Sequence, residues 1–576
     1  MVATPVNPVK RLTVQVEKDF VNNTTAIRSL DWDRDRFDIE FGLQNGTTYN
    51  SYLIRGDKIA LVDTSHAKFR QLYIDTLVGL IDPTTIDYLV ISHTEPDHSG
   101  LVADVLRLAP QAIVVGSKVA LNFLDDLVHQ PYERQIVKTG EQLDLGQGHV
   151  LDFINAPNLH WPDTMFTYDH GSEALYSCDA FGLHYCNENF FDEDLKAIMP
   201  DYRFYYDCLM GPNARSVLSA FKKLDQLDVK VSYVANGHGP VLRHHVKDLM
   251  GYYRQWSEEQ TKADARVAVF YVADYGYSDR LSQAIAKGIT KTGVAVEMVD
   301  LRSADPQEVH EIVAGSQGIV LSMPPLNPTQ SQITASIGTM LAATNNQQVV
   351  GLFESYGGND EPIDSWLVRF EEIGLTPGFN PIRIKDVPSE QNYQQCEEAG
   401  TDLGQLLTQK DRIKARKAIN RDLDRALGRI SAGLYIITAR KGDLSSAMLA
   451  SWVSQASFAP PGFTIAVAKD RAIESLMKVG DTFVLNVLEE GKYKPLMNHF
   501  LKRFAPGSDR FAGIDTQTAN NGSPILTDAL AYLECEVVSR MECPDHWIVY
   551  SKVSNGRVAN PEGLTAVHHR KVGNYY

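Results

Sequence analysis

The chain has 576 residues, and at about 150 residues per domain this length predicts three or four domains. Hydrophobic residues make up 44% and charged residues 22%, which is typical of a folded globular protein and excludes a largely disordered one. The formal net charge of −17 leaves no broad basic field for nucleic acid or an anionic membrane. No apolar run approaches the roughly 18 residues of a membrane helix, so we expect no transmembrane segment.

The ends and the cysteines indicate a cytoplasmic protein. Met1 to Phe20 contains no apolar core of a signal peptide. The six cysteines are scattered without a C-x-x-C pair, which argues against both a disulfide scaffold and a thiolate metal site. They are Cys178, Cys186, Cys208, Cys396, Cys535 and Cys543.

In the first segment, from about Arg36 to Gln255, short strands alternate with loops rich in His and Asp. An apolar strand, Ile86–Ser92, runs directly into the sequence HTEPDH, and further candidate ligands occur at later strand-to-loop junctions. Such junctions bring side chains to one edge of a sheet sandwich, so the series predicts a two-metal centre. The candidate ligands are His93, Glu95, Asp97, His98, His160, Asp179 and His238.

The middle segment, from Arg266 to about Leu407, alternates strands and helices and predicts a doubly wound parallel sheet. The expected strands are Arg266–Ala273, Ala295–Leu301, Gly318–Ser322 and Val349–Glu354, with a helix at Ser278–Thr292. Loops after three of these strands form a crevice that suits a phosphate-bearing cofactor. The candidate cofactor residues are Ala273, Asp274, Tyr275, Gly276, Tyr277, Ser278, Pro324, Pro325, Leu326, Asn327, Tyr356, Gly357 and Gly358.

A charged stretch, Lys410–Arg425, favours a solvated linker helix over a nucleic-acid site. From Ala426 onward the chain is β-rich, with turn signals that predict a barrel-like last domain. Those signals are Pro460–Gly462, Asn521–Gly522 and Asn555–Gly556. In this domain Ser451, Trp452, Ser454 and Ser457 are candidate flavin contacts, the alternative being an ordinary barrel wall.

The first segment resembles a metallo-β-lactamase-fold domain, and more closely that of the flavodiiron proteins. Hydrolytic members of the fold carry His-x-His-x-Asp-His and hold zinc, whereas Glu95 stands here in place of the second His. A carboxylate ligand shifts the preference toward a redox-active metal such as iron. The resemblance implies one iron on His93, Glu95 and His160, a second iron on Asp97, His98 and His238, and Asp179 as the bridge. All of these except His98 are the implied catalytic residues.

The other segments extend the resemblance over nearly the whole chain. The middle segment is similar to the flavodoxin domain of flavodiiron proteins, which implies FMN. Ala273 and Asp274 replace the hydroxyl residues usual in its phosphate loop, and Gly358 replaces an aromatic residue. The last segment resembles the flavin reductase-like domain, which implies a second flavin, FMN or FAD. The expected domains are residues 24–258, 264–407 and 426–576, with a linker helix at 408–425.

The implied fold class is multidomain α/β: a metallo-β-lactamase αββα sandwich, a flavodoxin-like doubly wound sheet and a flavin reductase-like split β-barrel. This order of domains resembles the cyanobacterial and photosynthetic type of flavodiiron protein. It implies an oxidoreductase that takes electrons from NADH or NADPH, relays them through flavins and reduces O2 to water, in photoprotection or oxygen detoxification. The family further implies a head-to-tail homodimer or a heteromer with a related chain.

Three alternatives stay open from the sequence. The same ligand set suits NO as substrate, the fold also serves metal-dependent hydrolases, and the chain is also compatible with an electron-transfer subunit that needs a partner. Neither the choice between NADH and NADPH nor the tightness of FMN binding follows from these residues.

Overall fold

The computed structural model describes residues 11–34, 36–37, 41–43, 45–263, 265–272, 277–302, 304, 306–323, 331–354 and 362–573. Spatial contacts divide the chain into two compact units, Met1–Ala263 and Asp264–Tyr576, which we treat separately. In the described ranges, none of the helices combines the length and the apolar character needed to cross a membrane.

The first unit contains two facing sheets. The seven strands of the first sheet follow one another in chain order: Leu12–Val21, Thr24–Asp31, Thr47–Arg55, Ile59–Val62, Tyr88–Ile91, Ile113–Gly116 and Arg134–Ile136. The second sheet has five strands, also in chain order: Gln142–Gly146, His149–Asn155, Met165–Asp169, Ala174–Cys178 and Tyr233–Asn236. Strands such as Thr24–Asp31 are buried along their whole length, because both of their faces are covered.

Helices cover the outer faces of both sheets. They are Arg70–Leu80, Val102–Leu108, Lys118–Leu127, Leu195–Tyr205, Ala214–Gln226 and Val246–Thr261, and a short helix, Pro96–Ser99, lies in the loop after the strand Tyr88–Ile91. Three apolar clusters separate the layers: one between the sheets, one under the earlier helices and one under the later helices. This layering is the predicted αββα sandwich.

The second unit begins with a parallel sheet whose strands are Arg266–Tyr271, Ala295–Asp300, Gly318–Met323 and Val349–Glu354, with short strands at Thr376–Pro377 and Ile382–Arg383. The second strand lies beside the first, the first lies beside the third, and the third lies beside the fourth. This is the flavodoxin-like order 2-1-3-4-5. Its helices are Ser278–Thr290, Pro306–Ala314, Ser331–Ala343 and Pro362–Ile373.

The C-terminal part of this unit is an antiparallel barrel. Its strands are Tyr435–Lys441, Leu444–Ala450, Val453–Phe458, Pro461–Ala468, Thr482–Val487, Ala531–Glu542 and His546–Val558, with a helix at Lys494–Leu501. The two edge strands of the sheet, Leu444–Ala450 and Val453–Phe458, are joined by only two residues, so the sheet must curl round on itself. This part of the unit also contains two short two-stranded sheets, which pair Ala432–Gly433 with Val567–His568 and Thr516–Thr518 with Pro524–Leu526.

One predicted turn is wrong. Asn555 and Gly556 lie inside the strand His546–Val558 rather than between two strands. Asn555 and Gly556 pair in register with Glu534 and Leu533 of the neighbouring strand, and the register shift beside them leaves Ser554 as the extra residue of a β-bulge.

A long helix, Glu390–Ala418, connects the parallel sheet to the barrel, and a second helix, Arg421–Leu427, follows it. The sequence predicted one charged linker helix over Lys410–Arg425. The structure differs because the first helix starts twenty residues earlier and because the Asn420 side chain caps a new helix by accepting bonds from the Asp422 and Leu423 backbone amides.

The long helix packs closely along the helix Ser278–Thr290, and a glycine of the long helix allows this close approach. A Cβ atom added to Gly400 would lie 2.0 Å from the carbonyl oxygen of Ile285, so only glycine fits. We therefore expect Gly400→Ala to lower the free energy of unfolding by about 1–3 kcal/mol, measured by urea denaturation of the full chain.

Gly338→Ala is the matched control. Gly338 lies in the helix Ser331–Ala343, and a Cβ there meets no atom within 4 Å. This substitution should instead raise the free energy of unfolding by about 0.5–1 kcal/mol, because alanine has a higher helix propensity than glycine. Equal effects of the two changes would contradict the close helix contact.

Candidate metal centre

The seven predicted ligands converge at one edge of the sandwich in the first unit. His93 follows the strand Tyr88–Ile91, Asp179 directly follows Ala174–Cys178, and His238 follows Tyr233–Asn236. The ligand atoms form two groups, and within each group all of these atoms lie within 4.8 Å of one another. The groups are His93, Glu95, His160 and Asp179, and then Asp97, His98 and His238.

Asp179 lies between the two groups. Its Oδ2 is 3.5 Å from Nε2 of both His93 and His160. Its Oδ1 is 3.0 Å from His98 Nε2 and 3.1 Å from His238 Nε2. One carboxylate thus turns one oxygen to each group, which is the geometry of a bridging ligand.

The site opens to solvent on its carboxylate side. The four imidazoles and Asp179 are all at most 5% exposed. The side chains of Glu95 and Asp97 are 16% and 20% exposed. A small molecule therefore reaches the centre past these two carboxylates.

Two carboxylates of the centre, Asp179 and Glu95, have a pKa well below the usual value and are ionised at neutral pH. Burial alone would raise the pKa of Asp179, but His98 and His238 hold it well below its usual range. Burial would likewise raise the pKa of Glu95, and His160 and His93 hold it well below. Anionic oxygens surrounded by imidazoles are suited to a divalent metal.

Two further groups orient the imidazoles. Asp163 Oδ1 lies 2.8 Å from His93 Nδ1, and its Oδ2 accepts bonds from the Thr94 amide and hydroxyl. The backbone carbonyl of Thr48 lies 2.6 Å from His238 Nδ1. These contacts turn both Nε2 atoms toward Asp179, as in metal sites where an outer partner fixes the histidine.

Sequence reasoning did not assign these supporting roles. Asp163 had a signal, since it lies three residues after His160 in the same loop. Thr48 had none, because it acts through its backbone. Tyr205 also had none, and its hydroxyl donates to Asp179 Oδ1 over 3.0 Å.

Cys178 also approaches the centre, with a sulfur grouped with His98 and Asp179. Burial, together with the charges of Asp63 and Asp179, raises the pKa of this thiol well above its usual value. A protonated thiol is a poor metal ligand, so Cys178 packs beside the centre.

We expect Asp163→Asn to weaken metal binding by about 10–100-fold, because the amide no longer holds the charge and orientation of His93. Titration of the metal-depleted chain with ferrous iron measures this change. Asp125→Asn, which alters a surface pair with Arg134, serves as the control. An unchanged affinity in Asp163→Asn would contradict the orienting role.

The donor set fits two metal ions. Asp97 Oδ1 and Asp179 Oδ2 are buried and have no hydrogen-bond partner in the described structure, so their lone pairs are available. Imidazole nitrogens combined with carboxylate oxygens suit iron.

Most of the predicted FMN contacts lie outside the described residues. These are Ala273, Asp274, Tyr275, Gly276, Pro324, Pro325, Leu326, Asn327, Tyr356, Gly357 and Gly358. Of the other two, Ser278 is buried at the first position of its helix and Tyr277 directly precedes it. The strands ending at Tyr271, Met323 and Glu354 are neighbours in the sheet.

The candidate contacts for the second flavin separate into two places. Ser451 and Trp452 line a cleft between the barrel and the long helix, and the Ser451 hydroxyl is buried there without a hydrogen-bond partner in the described structure. Ser457 donates instead to the Pro460 carbonyl within its hairpin, and Ser454 lies exposed on an edge strand. Neither of these two serines lines the cleft.

Comparison with known proteins agrees with this architecture. Residues 47–239 match the family described as ODP family beta lactamase, and residues 427–575 match the flavin reductase like domain. Diflavin flavoprotein A 1 of Synechocystis sp. strain PCC 6803 is 68% identical over 100% of both chains.

The chain belongs to the diflavin flavoprotein A family. A putative diflavin flavoprotein A 3 from Nostoc sp. strain PCC 7120 is 65% identical, again over 100% of both chains. The metal-soaked Flv1 flavodiiron core from Synechocystis sp. PCC6803 has 37% identity and a TM-score of 0.65, and the match covers 69% of this chain and 99% of that one.

Membership in this family confirms the resemblance to flavodiiron proteins and the predicted fold class. It supports an oxidoreductase role over that of a hydrolase. The names flavodiiron and diflavin match the expected set of two irons and two flavins.

Proposed function

We propose that this chain is an NAD(P)H:oxygen oxidoreductase that reduces O2 to water at a diiron site. Two molecules of NAD(P)H, two protons and one O2 give two NAD(P)+ and two water molecules. The observation that carries the proposal is Asp179, whose two oxygens face two separate histidine pairs. His93, Glu95 and His160 would hold one iron, Asp97, His98 and His238 the other, and Asp179 would bridge them.

The surrounding residues of the centre have defined tasks in this proposal. When bound, the iron pair would supply the binding site for O2 and would pass on the electrons that come from NAD(P)H through the flavins. Glu95 and Asp97 form the open side through which a diatomic molecule enters. Burial and the Asp179 charge raise the pKa of the Tyr205 phenol well above its usual value, so this hydroxyl keeps its proton and remains a donor to Asp179.

The second flavin would lie in the cleft of the second unit. The cleft holds about 1240 Å³ of empty space including its mouth, and Ser451 and Trp452 line it. Arg471 and Lys502 line the same cleft and bring two cationic side chains to it. These cations suit the phosphate of a flavin, while the flavin converts a hydride into single electrons. FMN would bind at the ends of the parallel strands.

The proposal includes the domain division at residues 24–258, 264–407, 408–425 and 426–576. It also includes a cytoplasmic location and a head-to-tail homodimer or a heteromer with a related chain. Cell fractionation and light scattering of the purified chain test these two points.

Metal and flavin analysis followed by gas consumption tests the activity. We expect two irons and two flavins per chain, anaerobic bleaching of flavin by NADH or NADPH, and O2 uptake in air. A chain that takes up NO faster than O2 would move the proposal to NO reduction. Zinc in place of iron would favour a hydrolase, and a chain with no flavin bleaching and no O2 uptake would favour an electron-transfer subunit.

A further inference from the structure

The barrel does not complete its cleft alone. The strand end at Ser451 and Trp452 forms one side, and the segment Phe500–Arg510 contributes another. The long helix Glu390–Ala418 supplies a third wall, including Glu398 and Thr401. A helix that starts at the edge of the parallel sheet therefore shapes a cleft in the barrel.

Glu398 is a buried polar link between this helix and the barrel wall. Its Oε1 lies 3.0 Å from Arg510 Nη2, and its Oε2 accepts the Gly507 amide over 2.9 Å. Gln394, one turn earlier, donates to Oε1 over 3.2 Å. Glu398 and Arg510 are 8% and 9% exposed, so water screens this pair little.

Arg510, which Glu398 holds in place, also contacts the aromatic part of the wall. Its guanidinium carbon lies 5.7 Å from the centre of the Phe504 ring. Its backbone carbonyl accepts from His499 Nε2 over 2.8 Å, and the His499 ring contacts Phe500. Phe500, Phe504 and Arg510 all line the cleft, so the position of Arg510 sets the shape of one wall.

We propose that Glu398 is a positioning residue for the flavin of the C-terminal barrel, acting through Arg510 and the Gly507 amide. The inference rests on the proposed function, because it takes the cleft as the second flavin site. It further means that the α/β part of the second unit, through the long helix, is needed for the barrel to retain its flavin.

The test uses the full chain with four variants: Glu398→Gln, Arg510→Gln, both changes together, and Glu536→Gln as control. Glu536 pairs with Lys552 at 2.9 Å on the same barrel, and both side chains are more than a third exposed. Flavin and iron per chain are measured after gel filtration, and the Kd for added FMN and FAD is measured by flavin fluorescence.

We expect Glu398→Gln to raise the Kd of the second flavin at least tenfold and to lower flavin content from two toward one, with iron unchanged. Arg510→Gln should act similarly, and the double variant should be no worse than Arg510→Gln alone, because the two residues act as one unit. The control should match the wild type.

The outcomes separate the inference from the proposed function. A wild-type chain with fewer than two flavins refutes the proposed site itself. A wild type with two flavins and a Glu398→Gln variant with unchanged or tighter flavin binding overturns the positioning role alone. Loss of iron together with flavin in Glu398→Gln also overturns it, because that pattern indicates general misfolding.

Discussion

Asp179→Asn is expected to reduce bound iron from two ions to fewer than one per chain and to lower O2 reduction by more than about 100-fold. The amide cannot supply two anionic oxygens, so the two histidine pairs lose their common ligand. In the wild type, Asp179 Oδ1 lies 3.0 Å from His98 Nε2, and Asp179 Oδ2 lies 3.5 Å from His93 Nε2. Iron analysis of the purified variant, together with O2 electrode traces, measures both effects.

Asp125→Asn, in a surface ion pair of the same unit, should keep full iron and activity. Retention of both irons in Asp179→Asn would show that the carboxylate does not bridge them. Loss of one iron only would assign Asp179 to a single metal and would contradict the symmetric geometry on which the proposed function depends.

Glu474→Gln is expected to lower the free energy of unfolding by about 3–5 kcal/mol, because Lys478 and Arg540 lose their anion and Lys291 keeps only Glu397. Glu474 is 2% exposed. It pairs with Lys291 at 2.8 Å and Lys478 at 2.7 Å, and it also contacts Arg540. Lys291 follows the helix Ser278–Thr290, so this cluster joins the parallel-sheet part of the second unit to the barrel.

The effect should depend on pH in a defined direction. Burial would raise the pKa of Glu474, but Lys291, Lys478 and Arg540 hold it well below its usual value of 4.5. The stabilisation by the ionised carboxylate is therefore present above pH 4.5 and is lost as the pH falls below that value. The difference between wild type and Glu474→Gln should narrow in acid.

Urea denaturation at neutral pH and below pH 4.5 checks both statements. The control Glu536→Gln removes an exposed ion pair with Lys552 and should lower the free energy of unfolding by less than about 1 kcal/mol. A difference between wild type and Glu474→Gln that stays constant or widens in acid would contradict the ionic origin of the stability.

The candidate metal ligands could be predicted from the sequence because they lie at the ends of strands, and the ends of neighbouring strands meet at one edge of a sheet. The predicted strand Val349–Glu354 has the same bounds in the structure, for a related reason: a buried parallel strand is a continuous apolar run. The predicted Asn555–Gly556 turn is wrong because cross-strand pairing with Glu534 and Leu533 holds both residues in an extended strand.

Some contacts that support the site could not be predicted from the sequence. Thr48 orients His238 through a backbone carbonyl, which every residue possesses, so no side-chain pattern marks it. Ser454 and Ser457 looked equivalent to Ser451, yet of the three only Ser451 lines the cleft, because it lies in the connection between the two edge strands while the others lie within the second of them.

The types of domain, their order and the seven candidate ligands follow from the sequence alone, since local residue type and hydrophobic period carry that information. Only the tertiary structure decided that Asp179 divides its oxygens between two histidine pairs, and that Glu398 meets the Gly507 amide 109 residues away. Such pairings depend on how distant segments pack, and packing is a property of the whole fold.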